Sequence, residues 1–256
     1  MFNLLKIELF KIRKGKEKYI IILSFIFMLI SPIVSTFLSE SSYDKDFISN
    51  IYRFFEYNFE ILFPLSIGIF TICVICNEFK NKSIKFYLMS EYNKSEIFLS
   101  KFLAINIFVI MCFIITYIIY SIIGYVISGK MPIIINYKAI SISNLIFDLI
   151  LLAVVTILYI IVIIAFSSML AYITKKQSVS VLLFIIINSL MLLMFGGIYE
   201  LSVIPRYSFF YASELYSIIW DFNDIHLILR YILPCISNTF LFLTISLIAF
   251  DKYQYN

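Results

Sequence analysis

Two short stretches of this sequence have residue types and spacings that could perform chemistry by themselves. Cys73 and Cys76 have the spacing of a redox or metal site, but no second pair and no histidine cluster completes it. The segment from Gly124 to Lys130 nearly matches a phosphate-binding loop, yet it lacks the Ser or Thr that holds magnesium and follows no predicted strand. We therefore expect the cysteines to pack in an apolar interior and the glycine segment to bind no nucleotide.

Ionisable side chains, which carry protons or ions in many transporters, are confined to the ends of the long apolar runs. Glu60, Asp148 and Arg230 lie at such ends, and the single histidine, His226, comes just before the last run. Ion-coupled transporters usually place ionisable groups or broken helices at mid-membrane. The pattern therefore argues against proton-driven transport, and one histidine excludes a metalloprotease of the H-E-x-x-H type.

The composition predicts a membrane protein. The 256 residues are 62% hydrophobic and 14% charged, with a mean hydropathy of +0.99, whereas soluble domains are roughly 45–50% apolar and about 25% charged. This excludes a soluble enzyme, a nucleic-acid binder and a disordered chain. A bilayer crossing needs roughly 20 helical residues. We predict an all-α membrane protein that forms one transmembrane domain over residues 1–256, with six spans at about 19–39, 59–77, 102–128, 147–173, 178–199 and 230–250.

The distribution of cations predicts the orientation of these spans. Fourteen of the 20 Lys and Arg residues fall in segments 1–18, 78–101, 175–176 and at Lys252, which alternate with segments that hold the other six. The positive-inside rule then places both termini in the cytoplasm. The formal net charge of +4 is thus explained by topology and gives no reason to expect nucleic acid as a partner.

Residues 1–18 precede the first span and predict an amphipathic helix at the membrane interface. One helical face carries the apolar residues Phe2, Leu5, Leu9 and Ile12, and the cations Lys6, Arg13 and Lys14 lie away from its centre. Such a helix would lie in the headgroup layer with its cations toward anionic lipid. The alternative is a basic cap that only fixes topology. In either case Gly15 marks the break before the first span.

The stretch 78–101 between the second and third spans is too polar to cross a bilayer. It divides at Ser90–Tyr92 into two short helical pieces, and Asn93 with Glu96 has the spacing of an N-terminal capping pair. The stretch resembles the corresponding loop of type-two ABC exporter permeases, in which a Glu ends span two and a Lys opens span three. The resemblance is carried by Glu78-Phe79, Lys82-Ser83-Ile84-Lys85, Ser95-Glu96-Ile97 and Lys101.

This resemblance implies a non-catalytic membrane subunit that binds no cofactor, while ATP and magnesium bind to a separate ABC ATPase chain. Six spans are half of the usual twelve, so the chain would pair with a second copy or a sister permease. The stretch would act as a cytoplasmic coupling helix, seated on the ATPase through Glu78, Phe79, Lys82, Ser83, Lys85, Glu96 and Lys101. We expect Glu78 to dock through a charged hydrogen bond; the alternative is a solvated residue that ends a helix.

The resemblance extends to small permeases of lantibiotic-immunity and bacitracin-resistance exporters, which implies an amphipathic peptide substrate and a bacterial plasma membrane. An aromatic outer segment precedes the last span and favours short helices in the outer leaflet. Its residues would contact the peptide or form an interfacial belt: Tyr207, Phe210, Tyr211 and Trp220. Two other function classes stay open, an ion-coupled secondary transporter and a membrane scaffold or assembly factor that transports nothing.

Overall fold

The computed structural model describes residues 1–38, 54, 58, 61–81, 92–128, 134–135, 138–139, 142–197 and 225–252. These residues form seven helices: α1 (Phe2–Lys14), α2 (Lys18–Leu38), α3 (Leu62–Lys80), α4 (Lys94–Ser128), α5 (Ile142–Thr174), α6 (Gln177–Gly197) and α7 (Ile225–Asp251). Two strands of two residues each, β1 (Ile134–Ile135) and β2 (Lys138–Ala139), pair antiparallel between α4 and α5. The predicted all-α class is confirmed apart from this short ribbon.

Four helices in the described part of the chain are long and apolar enough to cross a membrane. Their apolar portions are Leu62–Lys80, Lys94–Ile123, Ile150–Thr174 and Ile232–Asp251. The apolar portions described in α2 and α6 are shorter, Lys18–Ile30 and Gln177–Leu190. The chain is therefore a multi-pass helical membrane protein, and the prediction that α2 and α6 also span the bilayer stays a prediction.

The ends of two helices differ from the predicted spans for local reasons. Helix α4 begins at Lys94, because the backbone N–H groups of Glu96 and Ile97 donate to the Asn93 carbonyl over 3.0 and 3.1 Å. The second predicted piece of the 78–101 stretch is therefore the start of α4. Helix α3 begins at Leu62 with Pro64 in its first turn, where a missing N–H costs nothing.

Helix α5 is the central element, since it contacts α3, α4, α6 and α7. It reaches α6 through a connection of two residues, in which Lys175 has a left-handed backbone with φ 58° and donates its N–H to the Ala171 carbonyl over 2.9 Å. The hydroxyls of Thr174 and Ser180 hydrogen-bond across this turn. The short connection and the contact between the two helices make them an antiparallel hairpin.

The outer faces of the helices are strongly apolar. Large side chains are exposed along α2, α4, α6 and α7, among them Leu23, Phe27, Ile115, Ile122, Leu190, Leu233 and Phe240. A water-soluble protein rarely exposes so much contiguous apolar surface. Many Ser and Thr hydroxyls within the helices donate to a backbone carbonyl of the preceding turn, as when Thr71 donates to the Ile67 carbonyl over 2.8 Å. Both features suit a bundle whose solvent is lipid.

Gly68 on α3 lies directly against the ring of Phe184 on α6. A methyl group on Gly68 would overlap the ring of Phe184, which is buried on α6 and lies 5.8 Å from the ring of Phe166 on α5. The Phe184 ring therefore has little room to move aside. Glycine at this position allows the three helices α3, α5 and α6 to pack together.

We expect Gly68→Ala to destabilise the bundle by about 1–3 kcal/mol, since the added methyl overpacks a filled contact. The midpoint of thermal unfolding of the detergent-purified chain should fall accordingly. A matched double variant, Gly68→Ala with Phe184→Leu, removes the ring and should recover most of the loss. Equal stability of Gly68→Ala and the wild type would show that the Phe184 ring can move aside at no cost.

Candidate functional site

Four charged side chains from three helices meet at one end of the bundle and form what we call the charge cluster. It consists of Glu8 and Lys11 on α1, Glu78 on α3 and Lys101 on α4. Lys101 pairs directly with Glu78 and lies 3.8 Å from a Glu8 carboxylate oxygen. Lys11 Nζ lies 3.3 Å from Glu78 and 3.5 Å from Glu8. The two carboxylates and two ammonium groups balance each other in formal charge.

The charge cluster is largely shielded from solvent. The side chains of Glu8 and Lys101 are each 3% exposed, that of Glu78 is 12% exposed and that of Lys11 is 38% exposed. Moving a charge out of water costs several kcal/mol, and only a well-placed partner offsets this cost. Each member therefore depends on the others, and the loss of one would leave an uncompensated charge inside the protein.

Helix α1 places two of these charges because its buried face includes a carboxylate. Leu4, Glu8 and Ile12 are the buried residues of α1, whereas Phe2 is 81% exposed. The ion pair of Glu8 with Lys101 turns that side of α1 toward α4, and the placement of α1 at the membrane interface stays a prediction. The exposed face instead carries Phe2 and Phe10 beside exposed cations.

A second contact anchors the chain next to the charge cluster. The side-chain amide of Asn77 on α3 hydrogen-bonds to Glu17, in the short connection between α1 and α2. A polar cavity of about 240 Å³ lies beside both groups and is lined in part by Glu8, Glu78 and Asn81. The end of α3 thus holds α1, the connection to α2 and the start of α4.

Four aromatic rings lie at the same end of the bundle and form what we call the aromatic cluster. The ring of Tyr172 on α5 lies 6.0 Å from Phe79 on α3, 5.4 Å from Phe98 on α4 and 5.3 Å from Phe250 on α7. Phe98 and Phe250 are 6.2 Å apart. Edge and tilted arrangements at these separations are favourable. The cluster therefore joins the ends of α3, α4, α5 and α7.

The neighbouring residues Glu78 and Phe79 connect the two clusters. Glu78 belongs to the charge cluster and Phe79 to the aromatic cluster. The last turn of α3 is consequently joined directly to α1, α4 and α5, and through Tyr172 to α7. Lys94 adds a further link, because its ammonium donates to the Asp251 carbonyl at the end of α7 over 2.9 Å. The basic ends of the helices are gathered at one end of the bundle.

The structure brings together three of the residues singled out from the sequence: Glu78, Phe79 and Lys101. Glu96 lies apart from them, half-buried in the first turn of α4. The other candidates lie outside the described residues: Lys82, Ser83, Lys85, Tyr207, Phe210, Tyr211 and Trp220. Whether any of these side chains docks on a partner stays a prediction, and Glu78 is already engaged within its own chain.

Sequence reasoning missed Glu8, Lys11, Tyr172 and Phe250. A signal existed for Glu8 alone. It is the one acidic residue in the first 16 positions, and it lies one turn from both Leu4 and Ile12. A carboxylate on the apolar side of a basic helix predicts a buried cationic partner. The aromatic residues carried no such signal among 27 Phe and 19 Tyr.

The two cysteines of α3 contact α6. Gln177 donates its side-chain amide to the Cys73 sulfur over 3.1 Å, and the sulfur of Cys76 lies 3.7 Å from the Ser180 hydroxyl. Both cysteines are free and buried. Among the described residues, no group of three His, Cys, Asp or Glu side chains could hold a metal ion. The contacts agree with the prediction that the cysteines pack between helices.

Comparison with known proteins identifies the family. The sequence profile described as ABC-2 family transporter protein matches residues 4–191, which include α1 through most of α6 and therefore both Glu78 and Lys101. No curated protein matches the chain significantly. The matched region is well over half of the chain and contains the charge cluster that the geometry singles out. The chain belongs to the ABC-2 family of transporter proteins, as a membrane-embedded transporter subunit.

Proposed function

We propose that this chain is the permease subunit of an ATP-driven exporter, in which a separate ABC ATPase drives six spans through the stretch 78–101. Family membership supports partnership with an ABC ATPase and a membrane setting. The mechanical coupling is our proposal. It rests on one observation: the last turn of α3, from which that stretch continues, is joined to three other helices, α1, α4 and α5, through Glu78 and Phe79.

The proposed coupling follows from rigid contacts. ATP-driven closure of the ATPase would displace the loop after α3, and with it the last turn of that helix. Because Glu78 is bonded to Lys101 and Lys11, the displacement would reach α4 and α1. Because Phe79 packs on Tyr172, it would also reach the central helix α5. Packed elements of this kind convert a local push into rigid-body movement rather than local bending.

We propose that both termini face the cytoplasm. The segments with most of the Lys and Arg residues include α1, the end of α3, the start of α4, the Lys175-Lys176 turn and Lys252. Contacts such as Glu8 with Lys101 and Lys94 with Asp251 hold several of these ends together. Such a concentration of cations at one end supports a cytoplasmic placement by the positive-inside rule.

The interaction with the ATPase can be tested by copurification. We expect an ABC ATPase from the neighbouring open reading frame to copurify with the chain in mild detergent. Replacing Lys82, Ser83 and Lys85 with Gln, Ala and Gln should weaken that association, since these residues lie in the stretch assigned to docking. A control with Lys16→Gln and Lys252→Gln should bind normally. Retention of the ATPase by the triple variant would remove these residues from the docking surface.

The role of the charge cluster can be separated from its effect on stability. We expect Lys101→Met to destabilise the chain by about 3–5 kcal/mol, because the carboxylates of Glu8 and Glu78 then lose an ammonium group that contacts both of them. The double variant Glu78→Gln with Lys101→Met removes one charge of each sign, keeps the contact of Glu8 with Lys11 and should recover stability. It should nevertheless lose transport-linked ATP hydrolysis in reconstituted vesicles, since the bond between α3 and α4 is gone.

The informative comparison is therefore between thermal stability and coupling in the same double variant. Recovered stability with lost coupling supports a positioning role for Glu78 and Lys101. Recovered stability with normal coupled hydrolysis would show that the charge cluster only stabilises the fold. Gln at position 78 has nearly the same shape as Glu, so this substitution leaves no cavity. A change in coupled hydrolysis would therefore not be caused by lost packing at position 78.

We further propose that the transported molecule is an amphipathic peptide of the bacteriocin class, exported or extracted from the bacterial plasma membrane. The support is the resemblance to immunity permeases and the aromatic character of the segment before α7. Rings of Tyr207, Phe210, Tyr211 and Trp220 would offer apolar contact at the interface, where such peptides partition. The working unit would contain two permease chains, identical or different.

Deletion of this permease should increase sensitivity to at least one membrane-active peptide, measured as a lower inhibitory concentration. Complementation with the wild-type chain should restore resistance, and complementation with Trp220→Ala and Tyr211→Ala should restore less of it. Substitution of the exposed lipid-facing residues Leu233 and Phe240 with Ala serves as the matched control. Unchanged sensitivity to a broad panel of such peptides would contradict a peptide substrate.

A further inference from the structure

A groove of about 1210 Å³ lies between the last turn of α3 and the first turns of α6, away from the charge cluster. It is lined by Cys76, Phe79 and Lys80 of α3, whereas the polar cavity beside the charge cluster is lined by Asn77, Glu78 and other residues. The two openings therefore lie on different faces of the same helix. The proposed coupling uses Phe79, at the edge of the groove, but none of the other residues that line it.

The groove has a cationic rim and an apolar wall. Three lysines, Lys80, Lys175 and Lys176, line its end, and all three are exposed. Its wall is formed by residues of α6, including Leu182 and Ile186, which are 57% and 46% exposed. No Asp or Glu occurs among the lining residues that the structure describes. The site therefore favours a ligand with an anionic end and an apolar body.

The dimensions of the wall suit an aliphatic chain. From Gln177 at the rim to Ile186 the helix rises by about 14 Å, and this wall belongs to the apolar portion Gln177–Leu190 of α6. An extended peptide laid along such a wall would leave backbone N–H and C=O groups without hydrogen-bond partners in an apolar environment. A hydrocarbon chain has no such groups. The wall thus favours a lipid chain over an extended peptide.

We propose that this groove binds an anionic phospholipid, with the headgroup phosphate held by Lys80 and Lys176 and an acyl chain along Leu182 and Ile186. Basic pockets between transmembrane helices bind acidic headgroups through charge and hydrogen bonds. Free phosphate would make no apolar contact with the wall, so it should bind more weakly than a lipid. A zwitterionic lipid should also bind more weakly, because its headgroup has no net negative charge for the lysines of the rim to attract. The headgroup would lie in the inner leaflet if the proposed orientation is right. The binding itself requires no ATPase.

Native mass spectrometry of the detergent-purified chain, with dioleoyl phosphatidylglycerol or dioleoyl phosphatidylcholine added, tests this site. We expect one phosphatidylglycerol molecule to be retained at concentrations where phosphatidylcholine is not. The variant Lys80→Gln with Lys176→Gln should bind phosphatidylglycerol about thirtyfold more weakly, because each lysine near the headgroup contributes about fivefold to the affinity. The control Lys16→Gln with Lys252→Gln removes the same charge elsewhere and should bind normally.

Other outcomes would overturn the proposal. Equal retention of the two lipids by the wild-type chain would mean that the rim does not recognise an acidic headgroup, and this comparison needs no variant to fold. Equal weakening in both double variants would indicate a general charge effect. A change in oligomeric state with unchanged lipid binding would assign the groove to contact between permease chains. None of these results bears on ATPase copurification, so failure of the lipid site and failure of the proposed function are distinguishable.

Discussion

The balance of charge at one end of the bundle is the constraint on which this structure depends. Glu8, Lys11, Glu78 and Lys101 lie in a region with little access to water, where no single charge is tolerable without opposite charges around it. Three helices that are distant in sequence must therefore meet in one arrangement. The requirement gives α1 its orientation, since only the face with Glu8 can satisfy Lys101. It also ties the end of α3 to the start of α4.

The aromatic cluster extends this arrangement to the remaining helices without further charge. Tyr172 is buried at the end of the central helix and contacts rings from three others. Ion pairs need an oppositely charged partner in a defined position, whereas aromatic rings pack favourably in several arrangements. The end of α3 therefore has a specific ion pair on one side and an adaptable ring contact on the other. In a transporter, the ring contact could adjust during a conformational change while the ion pair keeps its partners.

The helices could be predicted from sequence because apolar run length decides which segments enter a bilayer. Glu78 and Lys101 could be singled out as well, through their place at the ends of neighbouring spans. The contact of Lys101 with Glu8 could not be predicted, because the two residues are 93 positions apart and local sequence patterns carry no information about such distant contacts. The start of α4 could be predicted despite its polar first turns, because the spacing of Asn93 and Glu96 is that of a capping pair. The helix begins at Lys94, and the Asn93 carbonyl accepts its first backbone hydrogen bonds.

The connection between α5 and α6 has a mechanical consequence. The connection contains only two residues, one of them in a left-handed conformation, so it restricts sliding of these helices along each other. The close contact of Gly68 with Phe184 also packs α3 against α6 of this pair. Three helices should accordingly travel as one body during transport. Helix α7 also packs extensively along the central helix α5, so we expect it to move with these three helices.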